Sequence, residues 1–593
     1  MNRNDRLIKK KIYKYMLTGI MTTVALQLGN IVDAMIVGNL IGSIGNGAVS
    51  ASTPYTYVLQ AAAILLASGG AVIAAVMLGK RQPESAGKVM GFCLLAGVLY
   101  PLVFAVLSPV AVPLYVQFTG AEGEIKDLIY DFTLVYSLGI PVISFVLIMS
   151  YFMNVDNHPA YSAAMNITAN VVNLVLDFIL VKFTPLGMKG AALSTALGYL
   201  VAGCIFIPLY LRSSRRMLKP SLKALGKAKQ LITAALKRGS PNLIYLIMTV
   251  IGMSIINRSV LNSLGSGYYS AYAVTNNTQA IVTMFLNGIA SVIASVAGVL
   301  YGEKDFYGMR AVLKKVLKTT LIAGGAIMVL FLAFPQALAA MYGFKDPDIL
   351  PELKTGMRIF SLSFGFFILN SITQNYYRTI GQTFLSITVT VLELLVIKIP
   401  LMLAGLKWFG FSGLFTAIIF SELLSFLIVN LIRIAMQKKG KVPQKGFMAI
   451  PERREGEICD LSITAGDDKA ARIYKEIIGY CLKEGMPERD AKIMGMAVEE
   501  LVLNIGLYGY PDKDKKDIDI CLSKNDGKFY LRLRDDGIPF DPVSYEPQGR
   551  DEDDIGGLDL LKKMAVKLSY MRVINLNNTI IEIDCAKGAE VNG

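Results

Sequence analysis

The chain has 593 residues, of which 53% are hydrophobic and only 18% charged, with a net charge of +14. That balance excludes an ordinary soluble protein. The charge is unevenly placed: residues 445–593 hold 22 Lys/Arg against 29 Asp/Glu, net −7, leaving residues 1–444 at net +21. An apolar, basic body is joined to an acidic, water-soluble tail.

In chain order, the basic MNRNDRLIKKKIYK runs straight into a full-length apolar stretch, which reads as a first transmembrane helix and not a cleaved leader. About twelve stretches reach spanning length, near 16–41, 52–78, 89–116, 128–153, 160–182, 187–211, 241–264, 270–301, 316–342, 356–377, 383–404 and 409–436. Roughly 20 apolar residues cross the hydrocarbon core. Arg and Lys crowd the N-terminus, the 79–88 loop, the 212–239 segment, the 302–318 loop and the exit at 433–445. The alternate loops are short and neutral, or acidic. The positive-inside rule then predicts a multi-pass protein of the cell (plasma) membrane with both termini in the cytoplasm. The basic 212–239 run reads as topology and lipid-headgroup attraction, with no nucleic-acid partner.

The chain repeats itself weakly. LIG at 40–42 matches SLG at 263–265, LGKRQ at 78–82 matches YGEKD at 301–305, and LGMKG at 186–190 matches FGFSG at 409–413, all at an offset of about 223 residues. Two parallel six-helix lobes follow, as in several transporter folds. The expected division is an N-lobe at 1–211, a basic linker at 212–240, a C-lobe at 241–440, a linker at 441–451 and a soluble domain at 452–593.

Polar residues inside the spans are expensive and point to function. Asn166, Asn170, Asn173 and Asp177 lie four, three and four apart, on one face of the fifth span. The first span adds Gln27, Asn30 and Asp33, and the two aspartates share a depth from which they can bind a proton or Na⁺ together. The bland alternative is interhelical hydrogen bonding, an even choice for Asn166 and Asn170. In the second half, Glu393, Lys398 and Glu422 form either a structural ion pair or a substrate site. His158 and Trp408 read as a loop residue and an interfacial anchor.

NIVDAMIVGNLIG and VNLVLDFILVKFTPLGMKGAALSTALGY resemble the first-helix and helix five–six segments of multidrug and toxic compound extrusion (MATE) antiporters, over about residues 10–436. The resemblance implies twelve helices in two lobes and an N-lobe cation site at Asp33, Asn173 and Asp177, with Thr195 near it. It also implies exchange of Na⁺ or H⁺ for organic cations or other amphipathic compounds. The second-half acid of some members has no counterpart here.

The tail reads as α/β. RIYKEIIGYCLKEG and AKIMGMAVEELVLNIGLYGY have helical periodicity, whereas DIDICLSK, KFYLRLRD and TIIEIDC alternate as strands do. Its four cysteines, Cys459, Cys481, Cys521 and Cys585, lack CxxC spacing and suggest a reducing compartment. Glu500 and Asn504 share a helix face, RDDGIPFDP follows a strand, and IGGLDLLKKM opens another helix. The physical reading is a nucleotide site. In that reading Asn504 ligates Mg²⁺, Glu500 acts as base or positions a nucleophile, Asp535 accepts from an adenine amine beside Gly537, and Gly556 and Gly557 offer backbone N–H groups to phosphates.

The three motifs in this order resemble the histidine-kinase-like (GHKL) ATPase fold, a two-layer α/β sandwich, and within it the anti-sigma-factor serine kinase branch. The resemblance implies the same roles for those residues and places Thr579 near adenine. Asp559 stands where the motif has its second glycine, and Tyr508 where a histidine is common. Other classes are a membrane-anchored serine kinase or ATP sensor acting on a cytoplasmic protein, and a flippase for lipid-linked oligosaccharides. No Gly-Lys pair is followed by Ser or Thr, so a P-loop pump is disfavoured.

Overall fold

The computed structural model describes residues 6–79, 83–156, 158–213, 216–221, 228–303, 305–440, 458–464, 467–510, 517–525, 528–545, 567–573 and 576–584. The chain forms two compact units, one of Thr18–Ala290 with Leu317–Lys438, the other of Met1–Leu17, Ser291–Val316 and Lys439–Gly593.

The first unit is helical. It contains most of α1 (Arg6–Leu40), then α2 (Ser43–Gly79), α3 (Pro83–Thr119), α4 (Glu124–Val155), α5 (Pro159–Phe183), α6 (Met188–Arg212) and α7 (Ala228–Val292). After α8 (Gly298–Gly302) come α9 (Phe306–Ala333), α10 (Pro335–Met341), α11 (Leu350–Ser361), α12 (Phe364–Thr379), α13 (Thr383–Val391) and α14 (Lys398–Lys438). Seven described segments are long and apolar enough to cross a membrane, and α11 with α12, bent by 45°, makes an eighth. Pro101, Pro109 and Pro113 all lie inside α3, a tolerance typical of membrane helices, where neighbouring groups satisfy the freed carbonyls.

The predicted loops after the seventh and eleventh spans are sharp bends at Gly265 (φ 83) inside α7 and Gly410 (φ 62) inside α14. These bends are one expression of the internal repeat. Gly42, Gly120 and Gly187 have φ of 97, 72 and 49, and the glycines 223 residues later, Gly265, Gly343 and Gly410, have φ of 83, 70 and 62. Such φ values strongly favour glycine, so the two halves turn at equivalent places. Short π-helical turns interrupt the second half at Ile293–Ala297 and Leu392–Val396.

In the second unit, β1 (Ile458–Thr464), α15 (Asp467–Lys483), α16 (Glu488–Tyr508), β2 (Asp517–Asn525), β3 (Lys528–Asp535), β4 (Lys567–Val573) and β5 (Leu576–Asp584) form one α/β domain. The antiparallel sheet has the order β1-β2-β3-β5-β4. Ile473, Ile477 and Cys481 of α15 and Met494, Val498 and Leu501 of α16 pack on Ile518, Ile520, Leu531, Leu533 and Ile581. Burying each large side chain contributes about 1.5–3 kcal/mol, so this layer contact holds the domain together. Odd-numbered residues of β3 and β5 face the helices and even-numbered ones the opposite side, as strand alternation requires.

Candidate functional site

Around Asp177 the sequence places small residues on α6 opposite the polar stripe of α5. A Cβ on Gly198 would lie 3.1 Å from both Cβ and N of Asn173 and would strike the Ala169 carbonyl. The glycine therefore lets the two helices close up, as small residues do at membrane helix contacts. Closure buries Asn173, Asp177 and Ser194. The Asn173 amide nitrogen lies 3.1 Å from Asp177 Oδ2, 3.2 Å from Ser194 Oγ and 3.3 Å from Thr195 Oγ1. Ser194 donates a short hydrogen bond to Asp177 Oδ1.

Asp33 of α1 reaches the same place, and its carboxyl lies within interaction range of the Asp177 carboxyl. The Asp33 Oδ1 is buried without a hydrogen-bond partner. Two carboxylates this close repel when both are ionised, which favours a shared proton or a cation bound between them. The structure thus brings together Asp33, Asn173, Asp177 and Thr195, each named from the sequence, and adds Ser194, whose only signal was its place beside Thr195 in GAALST. Asn166 instead bonds Ser150 Oγ at 2.8 Å and the Ser162 carbonyl at 2.9 Å. The first of these bonds joins α5 to α4, and the second stays within α5. The Asn30 side chain lies outside the described residues.

The second-half acids form their own cluster. The Asn370 amide donates to Glu422 Oε2 at 2.8 Å and to the Glu422 carbonyl at 3.0 Å. Glu393 sits in the π-helical turn, and Lys398 acts electrostatically on both glutamates. His158 is more than a loop residue: its Nε2 lies 2.8 Å from Ser213 Oγ, and beside it the Asp156 carboxylate accepts from Tyr210 Oη at 2.7 Å and from the Met217 amide at 3.0 Å. This buried network fastens the segment after α6.

In the α/β domain the nucleotide motifs converge in two groups. On α16 the Asn504 amide donates to Glu500 Oε1 at 2.7 Å and to the Glu500 carbonyl at 2.9 Å. At the end of β3, buried Asp535 Oδ1 accepts from the Gly537 amide at 2.8 Å and from Asn577 Nδ2 at 2.9 Å. Burial pushes its carboxyl above the ordinary aspartate value, against the pull of those two donors. A Cβ on Gly537 would lie 2.9 Å from Asp535 Oδ1 and clash with the Gly509 carbonyl, so this turn needs glycine.

The Ile538 amide bonds Gly509 O at 2.9 Å, stitching the turn to the end of α16. Thr579 is buried on the same face, opposite Leu533 and Tyr570. Asn577, opposite Asp535 in the β3–β5 register, was missed by sequence reasoning, because strand register is not visible in one chain. Gly556 and Gly557 lie outside the described residues, as does Asp559.

Residues 19–179 and 243–403 match the MatE family, once in each half. The chain belongs to the MatE family. Residues 464–581 match the histidine kinase-like ATPase domain, so this MatE chain carries a fused C-terminal domain of that kind. The multidrug export protein MepA of Staphylococcus saprophyticus is 24% identical over 410 residues, 66% of this chain and 88% of the relative. The probable multidrug resistance protein NorM of Thermotoga maritima is 20% identical over 431 residues, 71% of this chain and 92% of the relative.

Among solved structures, one described as the inward-facing conformation of a multidrug resistance MATE family transporter matches with a TM-score of 0.63 at 18% identity, covering 71% of this chain and 99% of that one. The fold is that of a polytopic helical membrane protein.

Proposed function

We propose that this chain is a cation-coupled antiporter that exports organic cations or other amphipathic compounds, regulated by ATP binding to its fused domain. The observation that carries the reading is the Asp33–Asp177 contact, with Asn173 and Ser194 as neutral donors and an open Asp33 oxygen. Na⁺ or H⁺ is the coupling substrate. Asn173 and Ser194 hold Asp177 in place, and the open Asp33 oxygen accepts the ion. The ion and the exported compound favour different arrangements of two six-helix lobes, since each ligand shifts the equilibrium only by its differential affinity. The multidrug names of the relatives support this substrate class. The repeat and the basic loops support twelve spans in the plasma membrane with both termini inside.

In the fused domain the Gly537 cradle and the buried Asp535 acceptor fit an adenine edge, and Asn504 with Glu500 fits Mg²⁺ and phosphate chemistry. Bound Mg·ATP supplies the phosphate charge. Asp535 and Asn577 would orient the base and Thr579 would border it, while the sequence motif assigns the phosphates to Gly556 and Gly557. The partners are the lipid bilayer, the exported compound and any cytoplasmic regulatory protein.

The test is exchange in proteoliposomes under an imposed Na⁺ or H⁺ gradient, read with a fluorescent organic cation. Asp177→Asn should abolish gradient-driven efflux while the purified protein stays monodisperse; unchanged efflux in that variant would remove the site assignment.

A further inference from the structure

One face of the ATPase sheet packs on α15 and α16, and in an antiparallel sheet of this kind the other face is ordinarily left to water. Here it is covered. Arg534 points to that open side, yet its side chain is only 1% exposed, and Arg532 beside it is 11% exposed. A buried guanidinium is tolerated only where its donors find partners.

Those partners come from the loop between α8 and α9. Arg534 Nη1 lies 3.0 Å from Asp305 Oδ2, and its Nη2 pairs with Glu303 Oε2. Arg532 lies 3.3 Å from both carboxylates. Its Nη1 also reaches the Glu303 carbonyl at 3.3 Å. Arg534 Nε completes the set on Asn578 Oδ1 of β5 at 3.0 Å. Asp305 is fixed from its other side, because its Oδ1 accepts from the Gly308 amide at 2.9 Å and caps the start of α9.

A second contact joins the same domain to α1. Lys10 Nζ lies 2.6 Å from Asp536 Oδ2, and Tyr510 Oη holds Asp536 Oδ1 at 3.0 Å. Asp536 directly follows Asp535, the buried acceptor of the nucleotide turn. Lys10 in turn lies on the helix that carries Asp33.

The internal repeat gives an independent argument. LGKRQ at 78–82 aligns with YGEKD at 301–305, so Lys80 and Gln82 of the first half correspond to Glu303 and Asp305 of the second. Loops on this side of the membrane are expected to be basic. Acids break that pattern at the two positions that meet Arg532 and Arg534.

We propose that the ATPase-type domain docks through the open face of its sheet on its own transporter half between α8 and α9, with Arg532 and Arg534 seated on Glu303 and Asp305. Lys10–Asp536 then ties the nucleotide turn to α1. The docking surface stands on the contacts alone. The link to nucleotide rests on the ATP-binding reading above.

The experiment uses the full-length protein in lipid nanodiscs without nucleotide. Zero-length carbodiimide cross-linking is read by mass spectrometry as the Lys10–Asp536 linked peptide, a contact separate from the arginine pairs. The linked peptide is expected in the wild type. Arg532→Glu should cut its yield by about tenfold, and adding Glu303→Arg should restore most of it, because like charges set together disfavour an interface and swapped ones recover it. Asp305→Asn keeps the cap on α9 and removes only the charge, so it guards against misfolding; it should cut the yield by roughly threefold. A linked peptide absent from the wild type, or equally abundant in all variants, overturns the docking surface.

The nucleotide link is read separately, as the Kd of a fluorescent ATP analogue for the wild type and Lys10→Glu. A shift of about threefold or more supports it, since coupling between two sites acts on both. Measurable binding with an unshifted Kd overturns the link. Absence of binding to the wild type overturns the nucleotide reading itself and leaves the cross-linking result standing.

Discussion

Asp535 shows how one residue joins folding to ligand chemistry. Its carboxyl is buried at the end of a strand, and burial raises its pKa above the ordinary aspartate value. The folded domain therefore holds this proton more tightly than the unfolded chain does. The resulting stabilisation is full below the unfolded value and is lost as pH rises through the folded one. Adenine recognition has the opposite sign, because the amine needs an ionised or at least unprotonated acceptor oxygen. Affinity for an ATP analogue should therefore rise with pH through a range above the ordinary aspartate value, and Asp535→Asn should weaken binding and flatten that dependence. Binding titrations across this range check it; a steep pH profile retained in Asp535→Asn would assign the titration elsewhere. The candidate site residues were readable because their types are improbable where they stand. A carboxylate within an apolar span and a DxG after a strand each stand out in a single chain. Ser194 and Asn577 were not readable, since a serine on a helix and an asparagine on a strand gain meaning only from what lies across from them.

At the scale of elements, the α5–α6 contact shows how a glycine sets a site. Gly198 brings the α6 backbone against Ala169 and Asn173, which holds Asn173 among Asp177, Ser194 and Thr195. Gly198→Leu should separate the helices and cost about 1–3 kcal/mol. The expected readouts are a lower unfolding temperature in detergent and loss of gradient-driven exchange together; a variant that melts and transports as the wild type does would show that the contact is not tight. In the α/β domain, β2, β3 and β5 were legible as alternating runs, as were α15 and α16 from their apolar stripes. The strands β1 and β4 were not. Both lie at the sheet edges with one neighbour each, where a weaker pattern is enough.

The division of charge is a property of the whole molecule, and so is its consequence. A body of net +21 and a tail of net −7 are written in composition alone, and the Asp33, Asn173, Asp177 and Ser194 cluster lies wholly in the body. A chain ended after residue 440 should therefore still exchange a fluorescent cation under an ion gradient without ATP, at a rate within about tenfold of the full chain, while losing any response to nucleotide. Silence of the shortened chain alone would make the tail a required part of the transporter. The sequence by itself determined that the protein is a polytopic membrane chain with a repeated body and an α/β tail, because hydropathy, charge asymmetry and strand alternation are local and periodic. It also determined which carboxylates are expensive enough to matter. Only the tertiary structure decided that Asp33 and Asp177 touch, that Asn577 supports Asp535, and that Arg532 and Arg534 meet Glu303 and Asp305. Each of those pairs is far apart along the chain, and hydrogen bonds and ion pairs act over a few ångströms in space, a distance that residue order does not encode.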